Sequence, residues 1–287
     1  MTGNRKGKYN RLIRPAEELS AMEVPLYGSI AAGYPAEAYN YIEDRIDLNK
    51  RIIRNKSGNR CLWVTNRELL GEGIEYGDML VVDTKLNPAN DSVVCLYLIE
   101  GEYQLRWIER INGGIQLVSP NPDVPLLFVA EGETVERVAT LTHRLKKFSN
   151  YRRQYGGYPV DVTGYIEKGI DYNKYFFGEE GYWETHFFLR VEGESMTGDG
   201  IVKNDLLVVD RLGEQYEDSI LVFLIENNFT LKRIIVYQDY VELVGSNPKF
   251  PRIRVAKETK LEAWGIVTGT VTEYLKNYEV LHSCRLK

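Results

Sequence analysis

Histidine, cysteine and long apolar runs are all scarce in this chain of 287 residues. It contains three His and three Cys, and Cys61, Cys95 and Cys284 lie far apart in the sequence. An odd number of widely spaced cysteines forms neither a metal-binding motif nor a disulfide framework. We therefore expect no metal ion, no cofactor and a reducing compartment, for which the cytoplasm is the simplest choice.

The chain also lacks an apolar segment of membrane-spanning length. Its apolar runs, such as Ile220 to Ile225, are far shorter than the roughly 20 residues that cross a bilayer, and its N-terminal residues show no signal-peptide pattern. The net charge of −5 disfavours a broad basic face for DNA. A composition of 44% hydrophobic and 27% charged residues is that of a folded protein. We expect no membrane partner and no direct DNA binding.

A tandem repeat organises the chain. Residues 33–50 align without gaps on 157–174, with ten of 18 positions identical, and residues 64–83 align on 191–210. The unit recurs at an offset of 124 to 127 residues, and each copy mixes β-branched, aliphatic and aromatic residues with turn-forming Gly, Asn, Asp and Pro. This pattern predicts short strands and turns rather than long helices. We expect a mainly β fold in two tandem domains.

The repeat divides the chain into four parts. We predict a basic flexible N-terminal arm over residues 1–23, a first copy over 24–145, a basic linker over 146–156 and a second copy over 157–287. The arm is too short to hold a helix-turn-helix domain. The basic residues of both the arm and the linker are interpreted as solvated.

A serine in the second copy has the setting of a nucleophile. Ser195 follows a strand-like segment and precedes Gly198-Asp199-Gly200, which allows a tight turn. Because histidine is scarce, the best candidate base is Lys232, 37 residues further on in an apolar, β-branched strand. Burial there would lower the pKa of Lys232 enough to leave it neutral near pH 7. His186 is an alternative base, although its apolar surroundings favour a packing role.

These residues resemble a known family. The motif Gly193-Glu194-Ser195-Met196, the run over 200–210 and Phe229-Thr230-Leu231-Lys232-Arg233 are similar in order and spacing to the LexA/UmuD family of self-cleaving serine peptidases. The stretch over 33–49 looks UmuD-like, and the resemblance covers about 24–274 because it occurs twice. It implies two tandem LexA/UmuD-type catalytic domains, Ser195 as nucleophile and Lys232 as base. Because the family dimerises, it also implies a pseudo-dimer within the chain or a homodimer.

The first copy carries a degenerate site. Glu68 stands where Ser195 stands in the second copy, and Arg106 stands where Lys232 stands. Arginine keeps its charge and cannot act as a base, so the first copy is expected to be catalytically dead. The opposite charges predict either a Glu68–Arg106 ion pair that fills the old site or two independent surface charges.

The resemblance implies a cleavage site before each catalytic core. The first copy has Ser29-Ile30-Ala31-Ala32-Gly33, with Ala32–Gly33 as the scissile bond. At the aligned place the second copy has Gln154-Tyr155-Gly156-Gly157, where Tyr155 replaces a small residue, so Gly156–Gly157 is the weaker candidate. The dyad therefore lies in one copy and the better substrate in the other.

The resemblance implies a UmuD-like peptidase of the SOS response that processes itself. Its partners would be an activated RecA-type filament and an error-prone DNA polymerase, with the chain itself as substrate. Three alternatives remain: a non-enzymatic module that uses the fold for docking, a repressor-like regulator of transcription, and a signal-peptidase-like enzyme. The absence of a DNA-binding domain argues against the second alternative, and the absence of a membrane anchor argues against the third.

Overall fold

The computed structural model describes residues 14–15, 21–32, 36–37, 42–71, 73–88, 90–148, 170–178, 182–216, 218–225, 228–256 and 258–275. These residues are mainly in strands, so the predicted mainly β fold in two tandem domains is confirmed. The strands up to the end of the first copy are β1 Arg14–Pro15, β2 Val24–Ala32, β3 Ala36–Glu37, β4 Asp44–Ile46, β5 Asn59–Trp63, β6 Met79–Asp83, β7 Cys95–Ile99, β8 Glu102–Ile111, β9 Gly114–Val118, β10 Leu127–Ala130 and β11 Glu136–Lys147. Those of the second copy are β12 His186–Gly193, β13 Leu206–Asp210, β14 Leu221–Ile225, β15 Asn228–Val236, β16 Tyr240–Val244, β17 Ile253–Ala256 and β18 Leu261–Glu273.

The helices within the described residues are short. They are α1 Leu48–Ile52, α2 Tyr172–Phe177 and the 3₁₀ turns Arg67–Leu69, Tyr182–Thr185 and Thr197–Asp199. Asp47 and Asp171 cap α1 and α2 by accepting a hydrogen bond from the backbone N–H three residues later. None of the helices in this part of the chain has the length and apolar character that crossing a bilayer requires.

Two strands, β6 and β13, are buried along their whole length. Their sequences are nearly continuous apolar runs because each strand separates two cores. Met79 and Val81 of β6 face a core that both copies share, whereas Leu80 and Val82 face the core of the first copy. Strand β13 repeats this arrangement between the shared core and the core of the second copy. The shared core is what holds the two copies together.

The second copy forms a closed ring of strands. Strand β12 pairs with β13, β13 with β18, β18 with β14, and β14 with β15. The ring is closed by β2, which pairs in parallel with β12 and also pairs with β15 at Ala31–Thr230. Strand β2 belongs in sequence to the first copy, so one copy completes the barrel of the other.

A pseudo-twofold relation connects the copies. Their last strands, β11 and β18, pair antiparallel, with Leu145 opposite Val271. These two residues occupy equivalent positions, because Leu145 pairs with Met79 of β6 and Val271 pairs with the corresponding Leu206 of β13. The copies therefore form a pseudo-dimer inside one chain.

A reciprocal set of hydrogen bonds lies on the same axis, between α1 and α2. The Asn49 side chain donates to Asp171 at 2.9 Å, and the equivalent Asn173 side chain donates to Asp47 at 3.0 Å. Each asparagine oxygen in turn accepts from a backbone N–H of the other helix, at Leu48 and Tyr172. All four of these Asp and Asn residues are buried, and their mutual pairing offsets the cost of removing them from water.

Strand β11 also carries a buried arginine that contacts both copies. Arg144 donates to the carbonyl of Gly73 in the first copy and, at 2.6 Å, to that of Gly200 in the second. It lies 3.7 Å from Asp205, and both side chains are 1% exposed. Lys146 of the same strand is buried and pairs with Glu75 at 2.9 Å. Lys146, the first residue of the predicted solvated linker, is therefore buried rather than solvated, because its ammonium pairs with a carboxylate of the first copy.

Two residues of the predicted flexible arm, Arg14 and Pro15, pair with Cys61 and Arg60 of β5. The rest of the predicted linker from 149 onward lies outside the described residues, as do Gly33, Gly156 and Gly157. The proposed limits of the four parts of the chain remain predictions.

Candidate active site

Ser195 and Lys232 meet inside the second copy. Ser195 follows the end of β12, and Lys232 lies in β15 on the opposite side of the β2 strand. The Lys232 Nζ atom is 2.7 Å from Ser195 Oγ and 3.0 Å from the carbonyl oxygen of Leu231. The side chain of Lys232 is 1% exposed and that of Ser195 is fully buried. The two residues are therefore within proton-transfer distance in a buried site.

Burial changes the chemistry of Lys232. Removal from water disfavours the charged ammonium and lowers the pKa of Lys232 to about 8. A neutral amine is then accessible near neutral pH, and it can accept the proton of Ser195 as that oxygen attacks a carbonyl. This pair can act as a nucleophile and its general base.

A neighbouring turn holds Ser195 in place. Asn247 donates from its backbone N–H to the carbonyl of Ser195 at 2.9 Å and from its side chain to the carbonyl of Glu194 at 3.0 Å. Gly245 passes so close that a Cβ there would lie 2.5 Å from the Ser195 carbonyl oxygen. The turn containing Gly245 and Asn247 was not predicted as part of the site. Its only signal in the sequence is that Asn-Pro recurs at 121–122 and 247–248.

The residues beside the dyad have structural roles. Arg233 points away from Ser195 and pairs with Asp199 at 2.6 Å, as expected for neighbouring residues of a strand. Met196 is fully buried in the core of the second copy. His186, the alternative base, is buried against the ring of Phe177 and lies 4.0 Å from Asp210. These contacts favour the packing role for His186.

Strand β2, which ends at Ala32 just before the candidate scissile bond, runs beside the strand that leads to Ser195. In the parallel pairing of β2 with β12, Ala31 is opposite Glu192 and Ala32 is opposite Gly193, two residues before Ser195. Strand β3 pairs antiparallel with Phe229 and Asn228 of β15. Strands β2 and β3, which come before and after the candidate scissile bond in the sequence, are thus paired with the two strands that position Ser195 and Lys232.

The equivalent site of the first copy keeps its scaffold without the dyad. Asn121 donates to the carbonyl of Arg67 at 2.9 Å, as Asn247 does to Glu194. Gly71 approaches Pro120 as closely as Gly198 approaches Ser246. The fold at this position is therefore preserved even though Glu68 and Arg106 cannot perform the chemistry of a serine and a neutral lysine.

The expected Glu68–Arg106 ion pair does not form between these two described residues. Arg106 donates to the side chain of Gln104 and to the carbonyls of Leu117 and Pro125, the last at 2.7 Å. Glu68 pairs with its neighbour Arg67 at 3.4 Å. Burial lowers the pKa of the Arg106 guanidinium, while the charge of Glu68 acts in the opposite direction. The alternative of two independent surface charges is also wrong for Arg106, because this side chain is buried. Its three hydrogen-bond acceptors offset the cost of removing the guanidinium from water.

Comparison with known proteins supports this architecture. Residues 25–142 and 151–268 each match the family described as Peptidase S24-like. The chain is 33% identical over 116 residues to Protein ImpA of Salmonella typhimurium, which covers 40% of this chain and 76% of the relative. It is 29% identical over 147 residues to Protein MucA of Escherichia coli, covering 51% of this chain and 94% of the relative. A LexA repressor from Syntrophotalea carbinolica is 36% identical over 89 residues, covering 31% of this chain and 44% of the relative.

The two family matches cover more than half of the chain and follow the tandem repeat. The resemblance inferred from the residues is confirmed. This chain belongs to the Peptidase S24-like, LexA/UmuD-type family and contains the family domain twice in tandem.

Proposed function

We propose that the second copy is a Ser–Lys peptidase that cuts its own chain at Ala32–Gly33. The observation that carries this proposal is the buried contact of 2.7 Å between Lys232 Nζ and Ser195 Oγ. In the reaction, neutral Lys232 accepts the Ser195 proton, Ser195 Oγ attacks the carbonyl carbon of Ala32, and the amine of Gly33 leaves with a proton. Water then hydrolyses the ester. Backbone N–H groups around Ser195 are proposed to stabilise the oxyanion.

The substrate is proposed to come from the first copy of the same chain. The pairing of Ala31 and Ala32 with β12 next to Ser195 supports this choice. An extended backbone held between two strands presents its carbonyl in a defined orientation, which removes much of the entropic cost of reaching the transition state. The Gly156–Gly157 bond is the weaker candidate, since the bulky Tyr155 stands where Ala31 stands before the other bond.

The biological role is proposed by resemblance to the LexA/UmuD family. Self-cleavage would be stimulated by a RecA-type filament during the SOS response, and the processed chain would act with an error-prone DNA polymerase. The first copy, which keeps the scaffold but not the dyad, is the candidate docking module in this arrangement. In this proposal the second copy carries the peptidase activity, and the first copy carries the non-enzymatic docking role.

The test uses the purified full chain at neutral and alkaline pH, with and without RecA filaments, followed by intact mass and N-terminal sequencing. A new N-terminus at Gly33 is expected, and it should be lost in Ser195→Ala, Lys232→Ala and Ala32→Arg. Ser119→Ala, a buried serine of the first copy, is the matched control and should cleave normally. Cleavage that persists in Ser195→Ala would exclude the dyad. A new N-terminus at Gly157 alone would exclude the division of labour between the copies.

A further inference from the structure

We propose that the fragment 1–32 stays bound after cleavage as a strand of the second copy, so that each chain reacts once and is then closed by its own product. This inference rests on the proposed cleavage at Ala32–Gly33. It concerns what holds β2 in place once the peptide bond that follows it is gone.

The backbone of β2 is paired along both edges. Five of its residues are in register with β12, from Leu26 opposite Phe188 to Ala32 opposite Gly193. On its other edge, the beginning of β2 pairs with β4 over three residues, and Ala31 pairs with Thr230 of β15. Hydrolysis after Ala32 removes none of these pairings. Release of the strand would open the barrel and expose two unpaired edges.

The side chains of β2 add apolar anchors in two different cores. Val24 and Leu26 are buried in the core shared by the copies, and Ile30 is fully buried in the core of the second copy. Tyr27 packs edge-to-face against Phe187 and Trp264, with ring centroids 5.5 Å and 5.9 Å away. Departure of the fragment would expose all of these apolar groups to water, which opposes release.

A second attachment lies further upstream in the same fragment. Arg14 and Pro15 pair with Cys61 and Arg60 of β5, in the first copy. Because two attachments belong to one short chain, loss of either one leaves the fragment at a high effective concentration near its site. The fragment therefore leaves more slowly than either strand would alone.

The retained product also switches off the base. Hydrolysis creates a carboxylate on Ala32 beside Ser195 and Lys232. A negative charge at that place favours the ammonium form and raises the pKa of Lys232, so the base is protonated and idle. The retained strand β2 occupies the site and Lys232 is charged, and each of these prevents a second turnover on another chain.

The first experiment separates this inference from the proposed chemistry. A Ser195→Ala chain carries the recognition sequence of a site-specific protease between Gly33 and Tyr34, and it is cut by that protease. Self-cleaved wild-type protein is treated in parallel. Native mass and size exclusion at micromolar concentration should show fragment and body together in both samples, separating only in urea. Elution of the fragment apart from the body without urea, after complete cutting, would overturn the inference.

The outcomes for the two ideas are distinct. Retention in the protease-cut chain without any self-cleavage in the wild type would count against the proposed function alone. Self-cleavage followed by prompt loss of the fragment would count against retention alone.

Matched variants test which side chains hold the fragment 1–32 on the rest of the chain. Ile30→Ala in the protease-cut chain is expected to weaken retention at least about 30-fold, since a truncated core isoleucine leaves a cavity. Glu23→Gln is the control, because Glu23 is exposed and its ion pair with Lys50 lies on the surface. If the Ile30→Ala chain does not show cooperative unfolding, and so is not properly folded, the Leu26→Ala chain is used in its place. Equal retention in Ile30→Ala, Leu26→Ala and Glu23→Gln would refute the proposed mode of binding.

A turnover assay tests the closure directly. A synthetic peptide with the sequence of residues 26–37 is added to self-cleaved protein. It should remain uncut there, and it should be cut by the self-cleaved Ile30→Ala chain, from which the fragment leaves more readily. Multiple turnovers by self-cleaved protein that still holds its fragment would overturn the single-turnover inference.

Discussion

The pH dependence of self-cleavage tests the role of Lys232 quantitatively. With the pKa of Lys232 lowered by burial to about 8, its neutral fraction is about one tenth at pH 7, one half at pH 8 and nine tenths at pH 9. If proton acceptance by Lys232 limits the rate, the first-order rate constant should rise about tenfold from pH 7 to pH 9 and then level off. An ordinary exposed lysine would instead give a rate that still rises above pH 10.

The assay follows the intact mass of the purified full chain over time, at constant ionic strength. Circular dichroism at each pH excludes unfolding as the cause of a change. Lys203→Ala, which removes an exposed lysine, should show the same profile as the unmodified chain. A rate that is flat or falling between pH 7 and pH 9 would refute a lysine base and favour a histidine or carboxylate. A midpoint near 10.5 would refute the argument that burial tunes the base.

Three further predictions concern stability and geometry. Because burial lowers the pKa of Lys232 to about 8, the unfolded chain binds more protons than the folded chain between about pH 8 and 10.5. The buried lysine therefore lowers the free energy of unfolding by its full amount below pH 8, and this cost disappears as the pH rises to about 10.5. Lys232→Met should therefore raise the free energy of unfolding at pH 7 by up to about 3 kcal/mol, measured with urea, and a loss of stability would contradict this. Gly245→Ala should slow cleavage about ten- to a hundredfold in a folded chain, because the added methyl displaces Ser195; an unchanged rate would contradict that. Arg144→Met should cost about 3–5 kcal/mol by leaving Asp205 without its cation, whereas a cost below about 1 kcal/mol would show that the contact is unimportant.

The local features of this fold were accessible from sequence. Alternating and continuous apolar runs, broken by turn residues, indicated strands, and the internal repeat indicated two domains. The order and spacing of the family motif predicted that Ser195 and Lys232 lie together, and the structure brings them to 2.7 Å. Such patterns work because strand formation and tight turns depend on neighbours in the sequence.

Contacts between the copies were not accessible in the same way. The residues of β2 indicate a strand, but nothing in them specifies β12 as a partner more than 150 residues away. Lys146 sits in a polar, basic run that is typical of a linker, whereas the Glu75 carboxylate that pairs with it lies far away in the sequence. The sequence also predicted the wrong partner for Arg106. Its acceptors include main-chain carbonyls, and because every residue type has one, the sequence does not indicate which residues provide them.

The buried basic residues of β11 show what the presence of both copies in one chain makes possible. At the positions equivalent to Arg144 and Lys146, β18 carries Thr270 and Thr272, and the two pairs face each other across the axis. In a homodimer both chains would carry the same residues there, and four cations would crowd against the two buried acids Asp78 and Asp205. A single chain escapes that constraint, because each side of the axis is encoded separately. The tandem arrangement thus allows the symmetry to be broken at the centre of the interface, where Arg144 on one side meets Thr272 on the other.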